Sequence, residues 1–533
     1  MCIRDSGDYW VVGPVVITDI SPNSVVMDMS GSVSTPGRII NGSMINPLPE
    51  NGRTQGYDSF MYVWHGGTLR GYPQGTNYDE SMNVARSGGN PISAEVPLNV
   101  PVSSSLISTI AEIPTIRESL KTATVLTVVA SAPAPGSFRP PYSGTDKTIN
   151  FNVSTLSEVG KGYDLLETLP LVGELPNPSV EILESRFSHV WLDHIPGFGA
   201  RYCHPTDNMQ DYSRDISRDV SNVALYLNLD LTDETKEILL IGMVQLGIDN
   251  YRNIELGLDI DTGNWIPNEG QNMGRKLPIV FAGRMLGGTI GAYSTRADKM
   301  LNIPVWDPEI EVGNFNPVFQ EDLQYWVVTY EDTQRVVVGT NTNPDLEQYS
   351  AEHIGLPEWG TRHLGPVANI TKDDASWEAN YRDICGIGMT GTALAVHIMG
   401  LEEAWGNDVF LDYHDRWWEH TGWDSSSLGT FIKTMWNNYR ADYPPIWPNQ
   451  SGNQRPTANA GSNRTITDDD GDGIEQVSLD GSASTDNDGD IVSWVWTDNL
   501  GDPIPDGQVV AAVLSVGEHI ITLTVTDDAG ASD

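Results

Sequence analysis

Three short segments concentrate the side chains able to do chemistry. SHVWLDHIPGFGARYCHPTDNMQDYSRDISRD, residues 188–219, holds His189, His194 and His204 among Asp193, Asp207, Asn208, Asp211, Tyr212, Arg214 and Asp215. Imidazoles beside acids and amides can transfer protons or ligate a cation. NWIPNEGQNMGRKLP, residues 264–278, sets Asn268, Glu269, Gln271, Asn272, Arg275 and Lys276 around two glycines. Amides beside glycine suit hydrogen bonding to sugar hydroxyls or carboxylates. LPEWGTRHLG, residues 356–365, gathers Glu358, Trp359, Arg362 and His363. Its Trp offers a flat apolar face for a sugar ring and its Arg a bidentate grip on a carboxylate. Against each stands a structural reading: capping loops, one packed Trp, one surface ion pair.

Other chemistries find less support. His189, Asp193 and His194 could ligate a cation, but there is no HExxH and no tight His/Cys frame. The run DDDGDG (Asp468, Asp470, Asp472, Gly473) matches the start of a calcium loop, yet Leu479 stands where the terminal Glu belongs. It is a candidate weak Ca2+ site, and no cofactor is otherwise required. There is no GxSxG elbow, P-loop or GxGxxG, which disfavours serine hydrolase, NTPase and dinucleotide chemistry. In DYHDRWWEH, Tyr413, Trp417 and His420 form one helical stripe, a pattern more often core than site. His397, in an apolar helix, reads as a core histidine.

The chain of 533 residues carries a net charge of −42, with 30 Lys and Arg against 72 Asp and Glu. Such a surface repels nucleic acid and anionic lipid, and it suits salty, marine or extracellular water. Cys2, Cys203 and Cys385 are the only cysteines. A Cys203–Cys385 bridge is open to them, but two buried thiols fit better. No apolar run reaches membrane-span length, so no membrane span is expected. MCIRDS, residues 1–6, reads as a non-native scar with no signal peptide.

These segments need elements to position them. Residues 7–135 alternate β-branched runs (YWVVGPVVITDI, ATVLTVVAS) with Asn-Gly and Gly-Gly turns, which predicts an N-terminal β-sandwich of accessory type. Residues 136–150 read as a linker or covering loop. Residues 151–445 predict six or seven helices: residues 213–231, from Thr232 as N-cap, 276–288, a long one over 381–405, 409–420 and the SLGTFIKTMWNNYRADY run. Antiparallel helical hairpins of this kind can close into an α/α toroid. Residues 446–455 are a Pro/Asn/Gly/Gln linker. The expected class is multidomain α+β.

The tail, residues 456–533, carries LDGSASTDNDGDIVSWVWTD and then GEHIITLTVTDDAG. The DGSASTD turn, the Trp494–Val495–Trp496 strand and the closing TLTVTDD strand make it resemble a PKD domain, an Ig-like β-sandwich cut short at the end of this chain. The resemblance implies a modular protein, secreted or at the cell surface, that faces polymers. The β-rich region followed by helices is similar in layout to the toroidal polysaccharide lyases of alginate and heparinase type. That resemblance implies β-elimination on an anionic, uronate-containing polysaccharide as substrate. Lyases need a His or Tyr base and a neutraliser for the uronate carboxylate. His204, Tyr212, His363 and Asn208 would supply the catalytic groups. Arg214, Asn272, Arg275, Glu358, Trp359 and Arg362 would bind substrate. Two alternatives stand: a glycoside hydrolase on the same toroid, pairing Asp207 or Asp215 with Glu358, and a non-catalytic glycan-binding or adhesive protein.

Overall fold

The computed structural model describes residues 8–27, 37–49, 54–59, 77–112, 120–195, 204–208, 213–257, 265, 270, 272–303, 319–334, 349–350, 353–360, 382, 385–421, 429–443, 456–486, 490–500 and 502–527. The chain divides into two compact units, Met1–Tyr443 and Pro444–Asp533.

In the first unit, strands β1 (Asp8–Val12), β2 (Ser43–Ile45), β3 (Ser104–Ala111) and β4 (Leu120–Val129) form one sheet in the order β1-β4-β3-β2. β1 runs parallel to β4, while β3 is antiparallel to both β4 and β2. The period-2 pattern of β3 and β4 turns Ile107, Ala123 and Val125 to one face. That face meets Tyr57, Tyr142, Val190, Leu192 and Ile195 in a single buried cluster. The β-rich and helical stretches therefore share a core. Residues 136–150 run through it, with Phe138, Arg139, Tyr142, Ser143 and Lys147 buried. The Lys147 ammonium donates to the carbonyls of Pro141, Tyr142 and Ser143, which pins this segment.

The helices follow the apolar spacing. They are α1 (Val180–Phe187), α2 (Ser213–Leu227), α3 (Asp233–Glu255), α4 (Lys276–Met285), α5 (Arg296–Leu301) and α6 (Gln320–Leu323). Strands β5 (Tyr325–Val327) and β6 (Pro357–Trp359) pair next, followed by α7 (Thr390–Ile398), α8 (Asp408–Thr421) and α9 (Thr430–Tyr439). Ile216, Val220, Val223, Ala224 and Leu227 of α2 are all buried, as a helical stripe requires. Thr232 caps α3 by accepting from the Thr235 N–H. Gly247 lets α3 approach Pro278 and Ala282 of α4 at a distance no Cβ would permit.

The long helix expected over 381–405 is broken. A 3₁₀ turn at Gly386–Met389 leads into α7, which stops at Gly400 with φ +58. Left-handed glycine is a common helix terminator. Tyr413 and Trp417 of α8 are core residues, and His397 is held by Glu402 at 3.0 Å. Cys385 is buried; Cys203 lies outside the described residues.

In the second unit β7 (Ile474–Asp480) pairs with β9 (Val509–Ser515), and β8 (Ile491–Asp498) with β10 (Ile521–Asp527). The two pairs enclose Val477, Leu479, Trp496, Val510, Ala512, Leu514, Leu523 and Val525. Among the described residues, no helix is long and apolar enough to cross a membrane.

Candidate functional site

The sheet fixes two pieces of the His-rich segment. Its apolar face holds residues 190–195, and the first residues of β4 hold the next piece through the Thr206 N–H to Leu120 O (2.8 Å) and the Asp207 N–H to Lys121 O (3.3 Å). Asp193 and His204 are thereby brought to opposite ends of a 3.8 Å approach between Asp193 Oδ1 and His204 Nε2. Arg275, at the start of α4, completes the cluster. Its Nη2 donates to Asp193 Oδ1 (3.1 Å), and its Nη1 donates to Ser213 Oγ and Met273 O (both 2.7 Å).

Glu321 of α6 accepts from the Gly274 and Arg275 N–H groups (2.8 and 3.2 Å), and Gln320 Oε1 accepts from the Asn272 N–H (2.9 Å). Gly274 is needed here: its φ is +85, and a Cβ would meet the Ser217 backbone at 2.8 Å. Asp193, His204, Asn208, Asn272, Arg275 and Glu321 are each at most 1% exposed.

Next to Asp193, the Tyr142 hydroxyl accepts from the His194 N–H (3.1 Å) and Asn253 Nδ2 (3.4 Å). Its own proton is then free to go to His194 Nδ1 at 3.1 Å, so His194 carries its proton on Nε2. Burial sets the ionisation of these groups. It pushes His194 down to about 3 and His204 down to about 4, against the opposing pull of Asp193. Both imidazoles are neutral near pH 7. Burial also raises Glu321 and holds Tyr142 well above its usual value.

The cluster is under-satisfied. Neither ring nitrogen of His204 meets a partner of ordinary geometry among the described residues, though the Pro205 backbone lies close. Asp193 Oδ2, His194 Nε2, Asn208 Oδ1, Arg275 Nε and Glu321 Oε2 are likewise without partners among the described residues. A buried polar atom without a partner costs about 1–3 kcal/mol, and such atoms gather where a fold is built for something other than its own stability.

Of the residues read from the sequence, His204 and Arg275 meet at Asp193, Asn272 lies on the turn that leads to Arg275, and Asn208 turns its Nδ2 to the Arg186 carbonyl. Arg214 lies on α2 beside Ser213, half-buried and bonded to Asp215, which Arg218 also holds. Glu358 and Trp359 fall in a second buried group. Glu358 pairs with Arg382 at 3.0 Å, and the fully buried Trp359 ring lies against Gly386 instead of offering a face to solvent. The same 3₁₀ turn touches Arg214 at Gly388, so the two groups flank it. Tyr212, Arg362 and His363 lie outside the described residues. Tyr142, Ser213, Asn250, Asn253 and Glu321 were not singled out from the sequence. The one available signal was Asn250 and Asn253, two amides three residues apart in an otherwise apolar helix.

In the second unit, Asp468, Asp470 and Asp472 bring their carboxylate oxygens within 4.8 Å of one another, and so do the ligand atoms of Asp498, Asp502 and His519. His519 faces an acceptor on each ring nitrogen: Asp498 Oδ1 at 3.0 Å and Ser515 O at 2.6 Å. That geometry favours the imidazolium, and those two bonds raise its pKa. Stability from this clasp is therefore fully present below about pH 6.5, the ordinary value, and is lost as pH rises through the raised one. The thermal midpoint of the second unit is expected to fall between pH 6 and 9 in the wild type and to stay flat over that range in His519→Gln. Parallel curves would show that His519 contributes nothing.

Residues 453–533 match the PKD domain family, and the C-terminal β-sandwich is that domain. No curated protein and no solved structure matches the chain.

Proposed function

We propose that residues 8–443 form a polysaccharide lyase that cleaves a uronate-containing polymer by β-elimination, with the PKD domain as a spacer in an extracellular setting. The observation that supports this reading is His204: a neutral imidazole, its nitrogens uncommitted, set between Asp193, Arg275 and Trp191. A neutral imidazole can take the proton beside a uronate carboxylate. The guanidinium of Arg275, whose Nε is uncommitted, supplies positive charge and a donor for the enolate-like carboxylate that develops. Asp193 would hold Arg275 and stabilise the imidazolium once His204 has taken the proton. Pairwise packing of α3 with α4 and of α2 with α7 is compatible with an α/α toroid. With His204 at 1% exposure, a polymer reaches it only through an opening of the surrounding residues.

The hydrolase reading is weaker on one observation. Two of its three candidate carboxylates, Asp215 and Glu358, are held in ion pairs by Arg214, Arg218 and Arg382. The deciding experiment incubates the intact chain with alginate, glucuronan, ulvan and heparinoids. A lyase gives an unsaturated product that absorbs in the ultraviolet. Reducing ends without that absorbance indicate a hydrolase, and neither signal leaves a non-catalytic binder.

A further inference from the structure

A cleft of about 330 Å³ opens on the side of the first unit where β1, the 136–139 segment, α1 and α3 meet. Its volume falls at the lower end of the range for small-molecule sites. Trp10, Phe138, Phe187 and Trp191 give it aromatic walls. Its floor is the buried Arg139, held by Asp8 at 2.8 Å and Asp249 at 2.5 Å. Two carboxylates around one guanidinium leave no spare positive charge for an anion.

The polar groups at its edge are acceptors. Gln245 gives one Nε2 hydrogen to Arg139 O at 3.1 Å and has Oε1 as an acceptor. His189 Nδ1 stands 2.6 Å from Ser185 O, and a carbonyl can only accept, so the proton is on Nδ1 and Nε2 is the acceptor of the neutral ring.

We propose that this cleft is a second binding site, separate from the His204 cluster, for a neutral ring that carries hydroxyl donors. The aromatic walls take an apolar ring face, the acceptors take the hydroxyls, and the Asp8–Arg139–Asp249 floor turns away a carboxylate. Pyranose sugars and phenols share this chemistry. Trp191 is the common wall of the two sites. Its ring meets His204 edge-on at 4.7 Å, and its Nε1 donates to Arg186 O, which also accepts from Asn208 Nδ2. The proposal does not depend on the lyase reading, because it is tested by binding alone.

The test is isothermal titration calorimetry of the intact chain with methyl glucoside, phenol and glucuronate. Ile238, at the edge and 44% exposed, is the position to fill. At least one neutral probe is expected to bind with a dissociation constant in the millimolar range. Ile238→Trp should weaken it at least tenfold, and His189→Phe, which keeps a ring and loses the acceptor, at least threefold. Glucuronate should bind at least tenfold more weakly than methyl glucoside if the sugar is the ligand. Heat from methyl glucoside alone assigns a sugar, and heat from phenol alone a phenol. No heat from either neutral probe, glucuronate binding as tightly as methyl glucoside, or affinity unchanged in His189→Phe with Ile238→Trp unchanged or unfolded overturns the proposal.

Discussion

Arg275→Met is expected to destabilise the first unit by about 3–5 kcal/mol, the cost of leaving one member of a buried pair without its partner. Asp193 has no exposed surface, and its Oδ1 depends on Arg275 Nη2. The same guanidinium satisfies Ser213 Oγ and the Met273 carbonyl, so its loss also releases the start of α2 and the turn before α4. Methionine fills much of the volume and returns none of those bonds. The measurement is the urea midpoint of the first unit, followed by tryptophan fluorescence. Adding Asp193→Asn to Arg275→Met removes the stranded charge and should recover part of the loss, as expected for two groups in one network. A single-variant loss under about 1 kcal/mol would mean that water already reaches Asp193.

His204→Gln is expected to lower kcat about 10²- to 10⁴-fold on whichever uronate polymer is cleaved, the usual contribution of a positioned general base. Glutamine keeps polar atoms in the same place but cannot hold the proton. His204 makes no hydrogen bond of ordinary geometry, so the unfolding midpoint should move little by comparison. The pH profile is a sharper signature. Burial pushes His204 down to about 4, so wild-type turnover should hold across the neutral range and fall only as pH approaches that value. A limb near 6.5 would point to a base in water. An unaltered rate in the variant would place the base on another residue.

The sequence made the helices legible where the apolar stripe was regular, as in α2, or where a cap announced the start, as at Thr232 before α3. It misjudged the helix over 381–405 because Gly400, which takes a left-handed φ and ends α7, was passed over as a terminator. It marked His204, Asn208, Asn272 and Arg275 by composition alone. Tyr142 escaped because it sits among prolines in a segment with the composition of a linker, and Glu321 because an acid in the first turn of a short helix looks like ordinary helix chemistry.

What the sequence determined by itself is local: the PKD tail, whose turn and strand motifs are short and ordered along the chain, the acidic surface, and the presence of strands followed by helices. The tertiary structure decided which polar side chains meet. Asp193 and Arg275 are far apart in sequence, and no periodicity pairs them. They meet because one face of a sheet fixes the 190–195 segment while α3 packs on α4 and sets the end of α4 against it. Burial likewise decided protonation: the same histidine would titrate near 6.5 on a loop in water and is pushed down to about 4 once it is enclosed.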